Sequence, residues 1–166
     1  MKTLIVCYSL TGNTDYAATR LAQLTGGDLL RLTPKKAYPD KGWRKFLWGG
    51  KSAVMAETPA LEPYDVDLAR YDAVVLASPV WASRIAPPLR TFVVDHREEL
   101  KDKPVAALLC MAGPSCPKAS RRLRDLLGAP ALAGEWELTD PKDKPDEHSE
   151  EKLRDMADAL NRAAGA

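Results

Sequence analysis

Five short apolar runs alternate with polar, helix-like segments, and this alternation constrains the fold more than any other feature of the chain. The runs lie at 3–8, 28–34, 71–78, 103–110 and 134–140. Short runs without an alternating polar face are typical of strands buried on both faces of a parallel sheet. Because strand–helix–strand crossovers within one sheet are right-handed, the pattern predicts an open α/β sheet with helices on both faces.

The segments between the runs carry helix signals, with apolar residues at helical spacing and glycines or prolines near their ends. The predicted helices span 13–24, 87–100, 116–128 and 145–166. Segment 35–67 interrupts this rhythm with the aromatic and basic run WRKFLW at 43–48. A helix is predicted around 43–55, bent or broken near Gly49 and Gly50. We expect a single domain over residues 1–166, with an aromatic and basic insertion around 35–67.

Composition excludes several classes of protein. The formal net charge of +1 gives no global field that would attract nucleic acid or an anionic membrane. The apolar run after Lys2 is shorter than the core of a signal peptide, so we expect a cytoplasmic protein whose three cysteines are reduced. No Cys-x-x-Cys or Cys/His cluster suggests a metal site.

Three loops leave the predicted carboxyl edge of the sheet, where open α/β sheets bind their ligands. They span 9–14, 78–86 and 111–117, and none of them contains a carboxylate. A receiver domain needs acidic residues after the first and third strands, but Ser9 and Ser78 stand there. The chain also lacks Cys-x5-Arg and a Gly-x-Gly-x-x-Gly after strand one, which excludes a cysteine phosphatase and the dinucleotide fingerprint.

The loop YSLTGNT (8–14) leads from the first strand into the first predicted helix. Unpaired N–H groups and the positive end of the helix dipole make such a helix start a site for a phosphate. Hydroxyls of Ser9, Thr11 and Thr14 and the amide of Asn13 would add neutral donors. The same residues are also compatible with simple helix capping by Ser9 or Thr11, because many strand–helix turns look like this.

The segment LIVCYSLTGNTDYAATRLA (4–22) resembles the N-terminal signature of the flavodoxins. Only Cys7 departs from that signature, at a strand position where an aromatic residue is usual. The segment ASPVWASRIAPPLRTF (77–92) is similar to the second flavin loop of small bacterial flavodoxin-like proteins. The resemblance spans nearly the whole chain and implies a five-stranded parallel sheet of order 2-1-3-4-5.

The resemblance also implies FMN as the cofactor. Its phosphate would lie on the first loop, with Thr11, Asn13 and Thr14 as the preferred donors, and its ring would lie between the second and third loops. Trp81 is expected to stack on the ring, and the third loop would offer backbone N–H groups to the pyrimidine edge. The implied cofactor-binding residues are Ser9, Leu10, Thr11, Gly12, Asn13, Thr14, Pro79, Val80, Trp81, Ala82, Met111, Ala112 and Gly113.

Two redox functions are compatible with this resemblance, because the flavin supplies the reactivity and the protein tunes it. One is an FMN-dependent oxidoreductase that takes electrons from NAD(P)H and reduces a quinone or a similar acceptor. The other is an electron carrier between protein partners. The flavodoxin carriers are usually acidic, often hold the ring between two aromatics and commonly have a glycine near flavin N5. The near-neutral charge, the third loop MAGPSCPKAS and the glycine-free segment 78–84 therefore favour the enzyme.

Three features leave alternatives open. Segment 41–51 interleaves Lys and Arg with aromatics, and would form a lid, a homodimer contact, a docking patch or an ordinary amphipathic helix. Cys116 would lie near the flavin as a passive small residue or as a redox-active thiol. A flavin-free binding module is the third class of function. No membrane or nucleic-acid partner is expected.

Overall fold

A computed structural model of the chain describes residues 2–39 and 50–164. Its strands are β1 (Thr3–Cys7), β2 (Asp28–Arg31), β3 (Ala73–Trp81), β4 (Arg84–Ile85), β5 (Val105–Met111) and β6 (Gly134–Thr139). Five of them form a parallel sheet in the order β2-β1-β3-β5-β6, and β4 pairs antiparallel with β3. With β4 set aside, this order confirms the expected 2-1-3-4-5 sheet.

Helices cover both faces of the sheet, as the sequence predicts. They are α1 (Asn13–Thr25), α2 (Pro87–Asp95), α3 (Arg97–Lys101), α4 (Pro117–Leu127) and α5 (Glu147–Ala164), with a short 3₁₀ turn at Leu68–Arg70. On one face α1 and α5 pack their apolar stripes on the sheet, and on the other α2, α3 and α4 do so. Every residue of β1 is buried, because this central strand is covered on both faces.

The second predicted loop is largely a β-hairpin, which corrects the expected end of the third strand. β3 continues through Ser78 to Trp81, and β4 returns along it with Val80 opposite Ile85. The sequence does not show this extension because Pro79 breaks the apolar run. Pro79 lies opposite Cys110 in the parallel pairing, near the carboxyl end of the shared ladder.

Three other boundaries differ from the expectation. β2 ends at Arg31 rather than Pro34, which instead forms an isolated antiparallel bridge with Leu61. The helix expected over 87–100 is interrupted at His96, where α2 ends and α3 begins. Within the insertion, residues 50–54 are helical, and the rest of the expected 43–55 helix lies outside the described residues. None of the helices in 2–39 and 50–164 is long and apolar enough to cross a membrane.

Candidate functional site

A cavity of about 340 Å³ opens at the carboxyl edge of the sheet, where the strand order reverses between β1 and β3. A volume of this size is within the range of small-molecule and cofactor sites. Eleven of the thirteen predicted residues line it: Ser9, Leu10, Thr11, Asn13, Thr14, Pro79, Val80, Trp81, Ala82, Met111 and Ala112. The folding of the sheet thus brings together three loops that are far apart in the sequence.

One end of the cavity is polar and begins at the N-terminus of α1. Gly12 is the N-cap residue, with a left-handed backbone (φ 93°), and no side chain caps the helix. The Gly12 N–H donates to the Ser9 hydroxyl at 3.1 Å, which leaves the Ser9 hydroxyl proton for another acceptor. The helix start therefore has the uncapped N–H groups that suit an anion. We call Ser9–Thr14 together with residues 140–144 the polar end.

Thr14 and Cys110 line the cavity next to the polar end, and we call this part of the lining the floor of the polar end. Thr14 is 1% exposed, and its side chain hydrogen-bonds the thiol of buried Cys110 on β5. Burial raises the pKa of the Cys110 thiol to about 12, although the Thr14 hydrogen bond partly opposes that rise. Thr14 therefore already uses its hydroxyl within the protein, and its expected role as a phosphate donor stays a prediction.

Asn13 is engaged by a fourth loop, residues 140–144, that follows β6. Its side-chain oxygen accepts the backbone N–H groups of Lys142 and Asp143 at 2.9 and 3.2 Å. Its Nδ2 donates to the Asp143 carboxylate at 2.7 Å. The same nitrogen also lies 3.4 Å from the Thr11 hydroxyl. The amide that was expected to donate to a phosphate thus fastens this loop to the start of α1.

The fourth loop also brings charge to a site that the sequence suggested would be neutral. The Lys142 side chain lies over Gly12, with its ammonium 3.6 Å from the position a Cβ would take there. The Lys142 Nζ pairs with the Asp143 Oδ1 at 2.8 Å. Asp140 and Asp143 line the cavity. One lysine and two carboxylates of the fourth loop therefore lie at the polar end, beside the neutral donors of the first loop.

Another part of the cavity is aromatic. Trp81 contacts Tyr8 and Tyr38 edge-to-face, with ring centroids 5.8 and 5.4 Å apart. Tyr8 and Tyr38 are themselves 6.4 Å apart, so the three rings form one cluster. Edge-to-face contacts of this kind orient the Trp81 ring at the cavity wall. We call Pro79–Ala82 with these two tyrosines the aromatic end.

The hairpin turn beside Trp81 is strained. Ala82 and Ser83 both have left-handed backbones, with φ of 48° and 58°, a conformation that residues other than glycine adopt at a cost. The two central residues of such a turn are usually asparagine and glycine. Arg122 on α4 compensates, because its Nη1 donates to the carbonyl groups of Ala82 and Ser83 at 3.2 and 3.0 Å.

The third loop contributes less than expected. Met111 and Ala112 line the cavity, but Gly113 is exposed and does not. Cys116 is the N-cap residue of α4, is half-buried, and also lies outside the cavity lining. Its backbone N–H donates to the Glu137 carboxylate at 3.2 Å. Among the predicted site residues, only Gly12 and Gly113 are absent from the lining, and Gly12 lies at its edge as the N-cap.

Comparison with known proteins agrees with this geometry. A family model described as a flavodoxin domain matches residues 50–166. The chain belongs to this flavodoxin family. No curated protein matches the sequence at a significant level.

Solved structures with this flavodoxin fold include a protein from Bacteroides eggerthii described as a flavoprotein. It is 23% identical, with a TM-score of 0.78 over 96% of this chain and 98% of its own. A flavoprotein from Lactobacillus acidophilus in complex with FMN is 18% identical, with a TM-score of 0.71 over 82% and 92% of the two chains. Megasphaera elsdenii flavodoxin is 16% identical, with a TM-score of 0.59 over 94% and 98%. These likenesses establish the fold.

Sequence reasoning missed four residues that line the cavity of this flavodoxin: Gly50, Cys110, Asp140 and Asp143. The signal for the two aspartates was present, because TDPKDK (139–144) follows the last predicted parallel strand. The carboxyl ends of all parallel strands meet at one edge, so this loop belongs with the other three. Gly50 had no comparable signal, since it reaches the cavity from the insertion.

Proposed function

We propose that this flavodoxin binds FMN in the cavity and works as an FMN-dependent oxidoreductase. One observation carries the proposal: a single cavity is lined both by the residues of an uncapped helix N-terminus and by an oriented tryptophan. A molecule with an anionic group and a flat aromatic ring matches both ends. The structural relative from Lactobacillus acidophilus, which is in complex with FMN, supports the same ligand.

The polar end would hold the phosphate. The free N–H groups at the start of α1 point toward it, and the dipole of the 13-residue helix favours an anion there. Ser9 and Thr11 retain hydroxyl protons to donate, since each accepts a hydrogen bond from within the loop. Gly12 lets the backbone approach closely. The ammonium of Lys142 is close enough to contribute to the same site.

The aromatic end would hold the ring. Trp81 offers a flat wall whose orientation is fixed by Tyr8 and Tyr38, and Pro79 and Val80 offer apolar surface and backbone carbonyl groups. Met111 and Ala112 close the cavity on the side of the third loop. Bound FMN would supply the transfer of one or two electrons.

The lack of an aromatic residue in the third loop favours the oxidoreductase over a carrier. Among the described residues, this loop contributes Met111 and Ala112 to the cavity lining. A ring that is covered by an aromatic residue on one face only would leave its other face to a second reactant. We propose NAD(P)H as the electron donor and a quinone or similar small molecule as the acceptor, in a cytoplasmic protein that pairs as a homodimer.

Titration of the purified protein with FMN, followed by addition of NADH or NADPH under anaerobic conditions, tests both levels of the proposal. FMN uptake with quenched fluorescence, and rapid bleaching by a nicotinamide, are the expected results. Reduction by light in two separate one-electron steps, with no oxidation of either nicotinamide, would favour the electron carrier instead. A protein that takes up no FMN would contradict both functions. Thr11→Val should weaken FMN binding, whereas Thr33→Val, outside the cavity, serves as the matched control.

A further inference from the structure

The carboxylate of Asp143 lies beside the N-terminus of α1 and contacts two groups of the polar end. Its Oδ2 accepts the Asn13 amide at 2.7 Å, and its Oδ1 pairs with the Lys142 ammonium at 2.8 Å. Asn13 is the first residue of α1, and Lys142 lies over the N-cap Gly12. One carboxylate therefore takes up an amide donor and a cation that lie beside the helix N-terminus.

Both groups are also suitable donors for a phosphate bound at the helix N-terminus. Any anion is favoured by amide N–H groups, ammonium groups and helix N-termini. A carboxylate and a phosphate can therefore compete for the same donors. Asp143 lines the cavity, so its charge lies within the space that the ligand enters. A dianionic phosphate would meet this negative charge unless the Asp143 side chain turns away.

The loop that carries Asp143 is held firmly enough to keep its carboxylate in place. The Asn13 oxygen accepts two backbone N–H groups of the loop, and the Asp140 N–H donates to the Met111 carbonyl at 3.0 Å. The Lys144 N–H closes the turn on the Asp140 carbonyl at 2.7 Å. The Asp143 side chain is itself 52% exposed to solvent.

We propose that Asp143 is an internal competitor for the phosphate of the ligand and sets how strongly the site prefers FMN over riboflavin. In the free protein Asp143 satisfies Asn13 and Lys142. In the complex the phosphate replaces it, and the carboxylate turns to solvent. This inference rests on the proposed binding of FMN, and it adds that part of the phosphate's binding energy is spent on displacing an anion that the chain itself supplies.

Calorimetric titration with FMN and with riboflavin, on the wild-type protein and three variants, tests the proposal. Asp143→Asn removes the charge and keeps an oxygen for the Asn13 amide, so the loop retains its anchor. It should bind FMN roughly fivefold more tightly, as expected for a partly exposed charge, and riboflavin unchanged. Asp143→Glu keeps the charge and should bind FMN like the wild type. Asp158→Asn, an exposed change of the same charge on α5, should alter neither affinity.

The outcomes separate this inference from the proposed function. A larger ratio of FMN to riboflavin affinity in Asp143→Asn alone supports competition. FMN binding by the wild type with an equal or weaker affinity in Asp143→Asn would overturn the inference and leave FMN as the ligand. Equal tightening for FMN and riboflavin would also overturn it, because the effect would then not involve the phosphate. Absence of FMN binding in every variant would overturn both.

Discussion

The two ends of the cavity are organised by different physics. At the polar end, Asn13, Thr14 and Asp143 already have hydrogen-bond partners within the protein. At the aromatic end, Trp81 is held by the edges of two tyrosine rings and presents surface rather than directed donors. A ligand that uses Asn13 must exchange partners at the polar end, whereas at the aromatic end it needs only to cover apolar surface.

This difference predicts where specificity and where affinity arise. Changes at the polar end should distinguish FMN from riboflavin, because only FMN carries the phosphate. Changes at the aromatic end should affect both ligands equally, because they share the ring. Four experiments, from the largest expected effect to the smallest, can break or sharpen this contrast.

The largest expected effect tests whether water is excluded from the floor of the polar end. The Cys110 thiol has a pKa of about 12 in the fold, against its ordinary 9.0. Because the folded-state pKa is raised, the stabilisation is present below pH 9.0 and is lost as the pH rises toward about 12. For this thiol alone, the free energy of unfolding should fall by about 1.4 kcal/mol per pH unit across this range.

Urea denaturation at a series of alkaline pH values, with reductant present, measures that slope. Cys110→Ala should show a shallower slope than the wild type. Cys116→Ala, in which the half-buried thiol is removed, should keep the wild-type slope. Identical slopes for Cys110→Ala and the wild type would mean that water reaches the floor of the polar end.

Trp81→Ala tests the aromatic end. Loss of a stacking aromatic typically costs about 1–3 kcal/mol of binding free energy, and here FMN and riboflavin should lose the same amount. Fluorescence of the bound flavin should also return, since Trp81 is the expected quencher. Trp136→Phe, on β6 and outside the cavity lining, is the matched control and should leave affinity and fluorescence unchanged. Quenching that survives Trp81→Ala would show that another residue stacks on the ring.

Gly12→Ala tests the polar end and is expected to have a smaller effect than Trp81→Ala. A side chain in the left-handed conformation costs about 1–2 kcal/mol, and the new Cβ would lie 3.1 Å from the Lys142 Cε. Gly26→Ala carries a similar backbone strain with nothing within 4 Å of its Cβ, so it is a close control. Both variants should lose stability in thermal denaturation, but only Gly12→Ala should weaken FMN binding. Equal FMN affinity in the two would separate the N-cap from the ligand site.

Ser83→Gly should have the smallest effect and the opposite sign. Glycine relieves the left-handed strain of about 1–2 kcal/mol but costs about 0.5–1 kcal/mol of chain entropy, so a net gain of about 0.5 kcal/mol in stability is expected. Ser83→Ala keeps the strain and should show no gain in urea denaturation. A loss of stability in Ser83→Gly would mean that the serine side chain supports the contacts by which Arg122 holds the turn.

The parallel sheet and the loops at its edge could be predicted from the sequence, because both follow from local patterns. Buried strands such as 3–8 show as apolar runs, and the glycine of YSLTGNT marks the helix start. The β4 hairpin could not, because its turn residues Ala82 and Ser83 lack the usual signals and depend on Arg122 from a later helix. Long-range partners of this kind leave no local trace.

The same reason explains what was missed at the site. The Asn13 amide looks like a phosphate donor in the sequence, and only its contact with a residue 130 positions away shows that it has another partner. Tyr38 is likewise inconspicuous in the insertion, although it orients Trp81. Donor types were therefore predictable, whereas the pairing of donors in the ligand-free fold was not.

The tyrosine at the aromatic end has a consequence for the insertion. The Ser52 hydroxyl donates its one proton to the Glu57 carboxylate. The Tyr38 hydroxyl lies 3.0 Å from the Ser52 oxygen and must therefore be the donor in that second hydrogen bond. A continuous line of contacts thus runs from Trp81 through Tyr38 to segment 50–57. Free-energy coupling is reciprocal. A molecule that binds to 50–57 and shifts Tyr38 would therefore change the affinity of the cavity for its ligand. The ligand would change the affinity for that molecule by the same factor.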